Sequence, residues 1–181
     1  MPIVKKEFYF IRHGETDHHL NLVSADEVDV PLNNTGRNQA LSVQPVIEKL
    51  PIRTICVSPL LRALETKEII AQNVACQVVV IEELRECTGE IWTKMNLIDD
   101  IPGHTPCEIV HHFMEKTIAG INKALGHPGP VLIVAHGGIH WAMCHRINVR
   151  DHDKKIGNCV PVHFYLAEDH SWQARKLKHE T

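Results

Sequence analysis

The sequence predicts an α/β fold, a three-layer α/β/α sandwich around a mainly parallel central sheet. Three observations predict it. Short apolar runs alternate along the chain with stretches of helical apolar spacing. One run, Val131 to Ala135, is apolar throughout, as a central strand covered on both faces should be. Three strand ends carry polar clusters: Arg12-His13-Gly14, Ser58 with Arg62, and His136-Gly137. Open α/β sheets place their sites at such ends.

The elements follow in order. Glu7 to Ile11 is an apolar, aromatic run ending in a glycine turn, and reads as a buried strand. Gly36 to Leu50 has helical spacing, with Pro45 arguing for a kink or an early break. Ile52 to Val57 is a second strand, stopped by Ser58-Pro59. Leu60 to Asn73 is a helix, expected to turn Leu61, Leu64, Ile69 and Ile70 inward and to keep Arg62, Glu65, Lys67 and Glu68 on its polar side. Gln77 to Ile81 is a third strand. Pro106 to Leu125 reads as a long helix opening on Thr105-Pro106 as cap and first-turn proline. After the strand at Val131 come a helix from Gly138 to Ile147 and a fifth strand from Val162 to Ala167. Arg175 to Thr181 reads as a polar tail. The length of 181 residues suits one domain, 1–181, with a small lid segment at about 87–106.

Composition excludes several classes. With 44% apolar and 23% charged residues, the chain is neither disordered, collagenous nor coiled coil. No window approaches the roughly 18 apolar residues of a membrane helix, and the start, with Lys5, Lys6 and Glu7, is no signal peptide. A net charge of −3 offers no basic field for nucleic acid. Six dispersed cysteines form no C-x-x-C pair, which fits a reduced, cytoplasmic protein. Histidine is unusually frequent, at 14 residues. Most, including His18-His19, His111-His112, His140, His145, His152 and His163, are expected as solvated surface residues. His136 and His140 lie four apart, yet no zinc set is expected at ligand spacing, and no metal or other cofactor is called for.

The three strand ends make chemical sense together. Arg12 and Arg62 are permanent planar donors suited to a tetrahedral oxyanion. His13 and His136 offer imidazoles at neighbouring ends. Gly14, Gly137 and Gly138 are expected to leave backbone N–H groups available to an anion. This is a phosphate pocket, and a neutral histidine inside it is a nucleophile. Glu86, just past the third strand, is the candidate acid for a leaving oxygen, although Glu82, Glu83 and Glu90 make the same run readable as a solvated acidic face.

Five segments, in order, carry a resemblance. Arg12-His13-Gly14-Glu15-Thr16 matches R-H-G-E-T/S. Pro31 to Gly36 with Gln39-Ala40 matches P-L-x-x-x-G-x-x-Q-A, and Ser58 to Thr66 matches S-P-L-x-R-A-x-x-T. Leu84-Arg85-Glu86 matches L-x-E, and Val134 to Gly138 matches a second-histidine motif. Together they resemble the histidine phosphatase superfamily, the phosphoglycerate mutase-like proteins. The resemblance implies that His13 becomes phosphohistidine. It implies that Arg12, Arg62 and His136 hold the phosphoryl oxygens, and that Glu86 protonates the leaving group and then activates water. Glu15 and Thr16 are expected to brace the loop.

The sequence also departs from the family. Many members carry an asparagine six residues after the nucleophile; here that position is His19, with Asn21 two further on, and both are candidate substrate contacts. After Glu86 the common F-G-x-W-E-G pattern is broken, with Gly89 early and Trp92 retained. No arginine lies between Arg85 and Arg146; Lys94, Lys116 and Lys123 are the only lysines there. A mutase must hold a second phosphate and exclude water. The expected function is therefore hydrolysis of phosphomonoesters, on a small phosphorylated substrate or a phosphohistidine protein. The alternatives are a phosphoglycerate mutase-type transferase and a non-catalytic phosphate-binding relative. No nucleic acid or membrane partner is expected.

Overall fold

A computed structural model describes residues 1–17, 29–149 and 151–178. Six strands form one mixed sheet in the order β3-β2-β4-β1-β5-β6. The strands are β1 Phe8–Arg12, β2 Thr54–Val57, β3 Gln77–Val80, β4 Val131–Ala135, β5 Val162–Leu166 and β6 Trp172–Lys176. β1, β2, β3 and β4 pair in parallel; β5 runs antiparallel to β1, and β6 antiparallel to β5. The helices are α1 Asn34–Ile47, α2 Leu61–Ile70, α3 Gly89–Asp100, α4 Glu108–Leu125 and α5 Gly137–Ile147.

Strand alternation divides the core into two layers. Phe8 and Phe10 of β1, with Val131, Ile133 and Ala135 of β4, join one cluster that takes in residues of α4 and α5. Tyr9, Ile11, Leu132 and Val134 face the other way, onto residues of α1 and α2. This two-faced burial is why β1, β2 and β4 read as apolar runs. Each fully buried large apolar side chain contributes about 1.5–3 kcal/mol. β5 joins through rings as well as backbone: Phe8 stacks on Phe164 at 5.1 Å and Tyr9 on His163 at 4.6 Å. The three-layer sandwich is thus present. Among the described residues no helix is long and apolar enough to cross a membrane.

Several elements differ from expectation. Pro45 lies inside α1, which ends two residues later at Ile47 and not at Leu50, so the proline closes the helix without breaking it early. α2 turns Ile70 inward and packs Leu64 and Ile69 against the core as expected, but at its start Arg62 is buried while Leu61 is exposed. The buried guanidinium outcompetes the leucine there because the helix starts at the sheet end where anion-binding groups meet. α4 begins at Glu108 with the extended Cys107 as its cap, so Pro106 precedes the cap and takes no place in the first turn. The segment expected as a lid contains α3, capped by Thr88, whose Oγ1 accepts the Ile91 N–H at 3.3 Å. The expected tail begins inside an ordered strand: its first two residues, Arg175 and Lys176, are the end of β6.

Candidate active site

The loop after β1 is fixed from all sides. The His13 N–H donates to the Ala135 carbonyl at 3.0 Å, continuing the β1–β4 pairing, and the His13 carbonyl accepts from Asn158 Nδ2 at 2.8 Å. Gly14 packs backbone against backbone: a Cβ there would stand 2.5 Å from the Gly36 carbonyl oxygen. Its N–H donates to Thr66 Oγ1 at 3.0 Å, and that hydroxyl donates to the Arg62 carbonyl at 2.7 Å. Glu15 braces the loop as expected. Its N–H reaches Gln39 Oε1 at 2.9 Å and its carboxylate takes the Asn33 amide at 2.9 Å. The Pro31-to-Ala40 motif is therefore scaffolding for the loop that carries His13.

His13 is 4% exposed, and its ring has a defined tautomer. Nδ1 lies 2.7 Å from the Gly14 carbonyl oxygen. A carbonyl only accepts, so Nδ1 carries the proton and the lone pair of the neutral ring sits on Nε2. The His136 ring lies 5.1 Å away, centroid to centroid. His136 caps α5 and is fully buried, and its Nε2 meets Ser58 Oγ at 2.7 Å. Burial pushes its pKa well below the usual histidine value, and the charges of His13, Arg62 and Arg12 push it further down. The ring contact sets His13 beside His136, and Arg12 and Arg62 are near enough for their charges to act on it.

Arg12 ends β1 beside them. Its Nη1 donates to the Ile156 carbonyl at 2.9 Å, and its own carbonyl accepts from the Cys159 N–H at 3.0 Å. Burial lowers its pKa, while the charge of Glu86 raises it. Arg12 Nε and His136 Nδ1 are buried with no hydrogen-bond partner among the described residues. Buried polar atoms normally find partners, so these two are suited to receive a ligand.

Glu86 is anchored. Its carboxylate accepts the Gly138 N–H at 3.1 and 3.2 Å and the Cys87 N–H at 2.9 Å. It therefore sits on the first turn of α5, with Arg12 close enough to feel its charge, and is no member of a solvated acidic face. This corrects the expectation for the glycine amides: Gly138 N–H is taken by Glu86 and Gly14 N–H by Thr66, so neither is available to an anion. Gly137, the first residue of α5, lies under Arg12 and Trp92; a Cβ on it would stand 3.5 Å from Arg12 Nε and 3.6 Å from the Trp92 ring. α3 thus brings Trp92 over the site. Asp99 near the end of α3 ties it down, accepting from Trp141 Nε1 at 2.7 Å and from Lys154 Nζ at 3.0 Å.

The structure brings together Arg12, His13, Arg62, His136 and Gly137 at the carboxyl ends of β1, β2 and β4, with Glu86 reaching in from the connection after β3. His19 and Asn21 lie outside the described residues. Four positioning residues were not assigned roles from sequence: Thr66, Asn158, Trp92 and Asp99. Thr66 lies within the S-P-L-x-R-A-x-x-T match, which signals it; Asn158 and Asp99 carry no pattern that would. Beside Glu86 a cleft of about 440 Å³ opens, lined by Cys87, Ile91, Glu108, His112, Phe113 and Lys116.

Residues 8–175 match the sequence profile of the histidine phosphatase superfamily (branch 1), and the chain belongs to that superfamily. It is 31% identical to the uncharacterized phosphatase PhoE of Bacillus subtilis over 149 residues, 78% of this chain and 77% of that protein. It is 30% identical over 185 residues to the agropine synthesis reductase of Rhizobium rhizogenes, covering 93% of this chain. The chain spans 41% of that reductase's length. Among solved structures it resembles a mycobacterial glucosyl-3-phosphoglycerate phosphatase complexed with VO3, with a TM-score of 0.64, 20% identity, and coverage of 97% and 99% of the two chains. It also resembles a phosphoglycerate mutase from Thermus thermophilus, with a TM-score of 0.65, 22% identity, and coverage of 97% and 100%. These likenesses place the fold among phosphoglycerate mutase-like proteins.

Proposed function

We propose that the protein is a phosphomonoesterase that works through a phosphohistidine on His13. One observation carries this reading: Arg12 Nε and His136 Nδ1, buried and unpartnered among the described residues, flank a histidine whose neutral ring has its lone pair on Nε2. Arg12 and Arg62 supply permanent charge for the equatorial phosphoryl oxygens, and phosphoryl transfer needs chiefly such positioning and charge. His136 and the amide of Gly137 at the head of α5 complete the cradle.

The chemistry runs in two steps. His13 Nε2 attacks phosphorus, the bond from phosphorus to the ester oxygen breaks, and Glu86 in its acid form gives its proton to the departing oxygen. Water then attacks phospho-His13 while the Glu86 carboxylate takes a proton from it. Inorganic phosphate leaves and His13 is restored. The leaving group occupies the cleft between Glu86 and α4, whose volume fits a small organic moiety. Lys116 is the one lysine or arginine lining that cleft among the described residues. A second phosphate would be poorly held, which favours hydrolysis over transfer.

The test is a phosphomonoester panel assayed for phosphate release, with and without a chelator, on the parent and on His13→Ala. Chelator-insensitive turnover is expected, together with a base-stable, acid-labile phosphoenzyme in the parent. His13→Ala should lose turnover by several orders of magnitude with its thermal midpoint retained. Turnover within tenfold of the parent would overturn the reading. Interconversion of phosphoglycerate isomers without phosphate release would make the protein a transferase.

A further inference from the structure

One turn beyond the cap of α5, three ligand-type side chains converge away from the phosphate cradle. His140 and Cys144 are four residues apart and share a helix face. Neither is expected in a buried cluster from sequence, yet both are buried: His140 packs against Phe10, Phe164 and the segment carrying Lys154, and Cys144 joins the core. His152 comes from that same segment and is half-buried. His140 Nε2 lies 3.0 Å from His152 Nε2 and 3.6 Å from Cys144 Sγ, and the three ligand atoms fall within 4.8 Å of one another.

The tautomer of His140 is fixed. Its Nδ1 lies 2.7 Å from the Lys154 carbonyl oxygen, so Nδ1 carries the proton and the Nε2 lone pair points at the other two groups. Imidazoles bound to metal make this same outer bond to a carbonyl. Zinc bonds of about 2.0–2.1 Å to nitrogen and 2.3 Å to sulfur, set tetrahedrally, require separations of about 3.4 Å between nitrogens and about 3.6 Å between nitrogen and sulfur. The sulfur is already at that distance from His140 Nε2, and it lies within 4.8 Å of His152 Nε2. The two imidazoles need to part by a few tenths of an ångström, and His152, on an irregular segment, can supply this.

We infer that His140, Cys144 and His152 form a binding site for a soft divalent cation of the zinc type, with water as the fourth ligand. Two imidazoles and one thiolate suit zinc and reject oxygen-seeking magnesium or calcium. On binding, the Cys144 thiol releases its proton to solvent as the sulfur–metal bond forms. The His152 proton that faces His140 moves to Nδ1, leaving Nε2 to coordinate. No oxidation is involved. The metal would cross-link α5 to the segment whose Ile156 and Asn158 hold Arg12 and His13, so its role is structural, and the phosphoryl chemistry does not pass through it.

The experiment uses the full chain, stripped with chelator and titrated with Zn2+, Co2+ or Mg2+. One equivalent of Zn2+ is expected to bind and to raise the thermal midpoint by roughly 5–10 °C at a hundredfold excess over Kd, while Mg2+ does neither. The Co2+ form should show a thiolate-to-cobalt charge-transfer band that Cys144→Ser removes. His152→Gln should abolish the tight equivalent; it changes a half-buried residue, so it keeps the test alive if Cys144→Ser fails to fold. The double variant His111→Gln/His112→Gln should bind as the parent does. Absence of a tight equivalent overturns the site, as does binding lost in that double variant and retained in His152→Gln.

Discussion

The carboxylate of Glu86 and the backbone N–H of Gly138 are bound to each other through both carboxylate oxygens, at 3.1 and 3.2 Å, across 52 residues of chain. The bond joins the connection between β3 and α3 to the first turn of α5. It sets the distance between the candidate acid and the cradle without any side chain from α5.

Glu86→Gln keeps an oxygen for the Gly138 N–H and removes only the transferable proton. With an alkyl phosphate, whose leaving oxygen needs a proton, turnover should fall by roughly 10²–10⁴. With nitrophenyl phosphate the first step should slow far less, and phosphoenzyme should accumulate as a burst because its hydrolysis still lacks a base. Rapid-quench measurements on the two substrates separate these outcomes. Equal losses without a burst would move the acid elsewhere.

Gly138→Ala attacks the same bond from the other side. A Cβ at Gly138 would sit 2.3 Å from Glu86 Oε1 and 2.8 Å from Cys87 Sγ, so the carboxylate must move. A displacement of that order costs about 10²-fold in rate. In steady-state assays on an alkyl phosphate, adding Gly138→Ala to Glu86→Gln should cost much less than it does alone, because both act on one contact.

Ser58→Ala removes the partner of His136 Nε2 in a site with no exposure. A buried nitrogen left without a partner costs about 1–3 kcal/mol. Denaturant unfolding should register that loss with an unchanged slope. Full stability in the variant would mean that water replaces the hydroxyl.

Acid should destabilise the fold through its buried histidines. His136 stays neutral well below the usual pKa of 6.5 because of burial, and His140 is lowered to about 4 for the same reason. Below pH 6.5 the unfolded chain takes up protons that the folded chain refuses, so stability falls as pH falls. The thermal midpoint in chelator should hold above about pH 7 and decline from about 6.5 toward 4. His136→Gln should flatten part of that decline; an unaltered slope would mean that His136 is protonated in the native state.

What the sequence made legible follows burial. β1, β2 and β4 are covered on both faces, so their apolar runs had one reading. β6, Trp172–Lys176, has a polar composition because it is a sheet edge held by pairing to β5, and pairing leaves no mark in hydrophobicity. α3 was hidden for a similar reason: Met95 is its one buried residue, too little for an apolar stripe. At the site, Arg12, His13, Arg62, Glu86 and His136 stood out as reactive types at element ends. Which amides remained available did not, since the partners of Gly14 and Gly138 come from 52 residues away. In the first turn of α2, Leu61 and Arg62 were misjudged because periodicity treats arginine as a surface residue, whereas Leu64, Ile69 and Ile70 face the core as read.

The place of β1 in the sheet has a consequence for synthesis. β1 is synthesised well before both its neighbours: β4 begins at Val131 and β5 at Val162. At roughly 5–20 residues per second the strand waits on the order of ten seconds with Phe8, Tyr9, Phe10 and Ile11 unpaired on both edges. Throughout that interval both its edges are open to pairing with other strands.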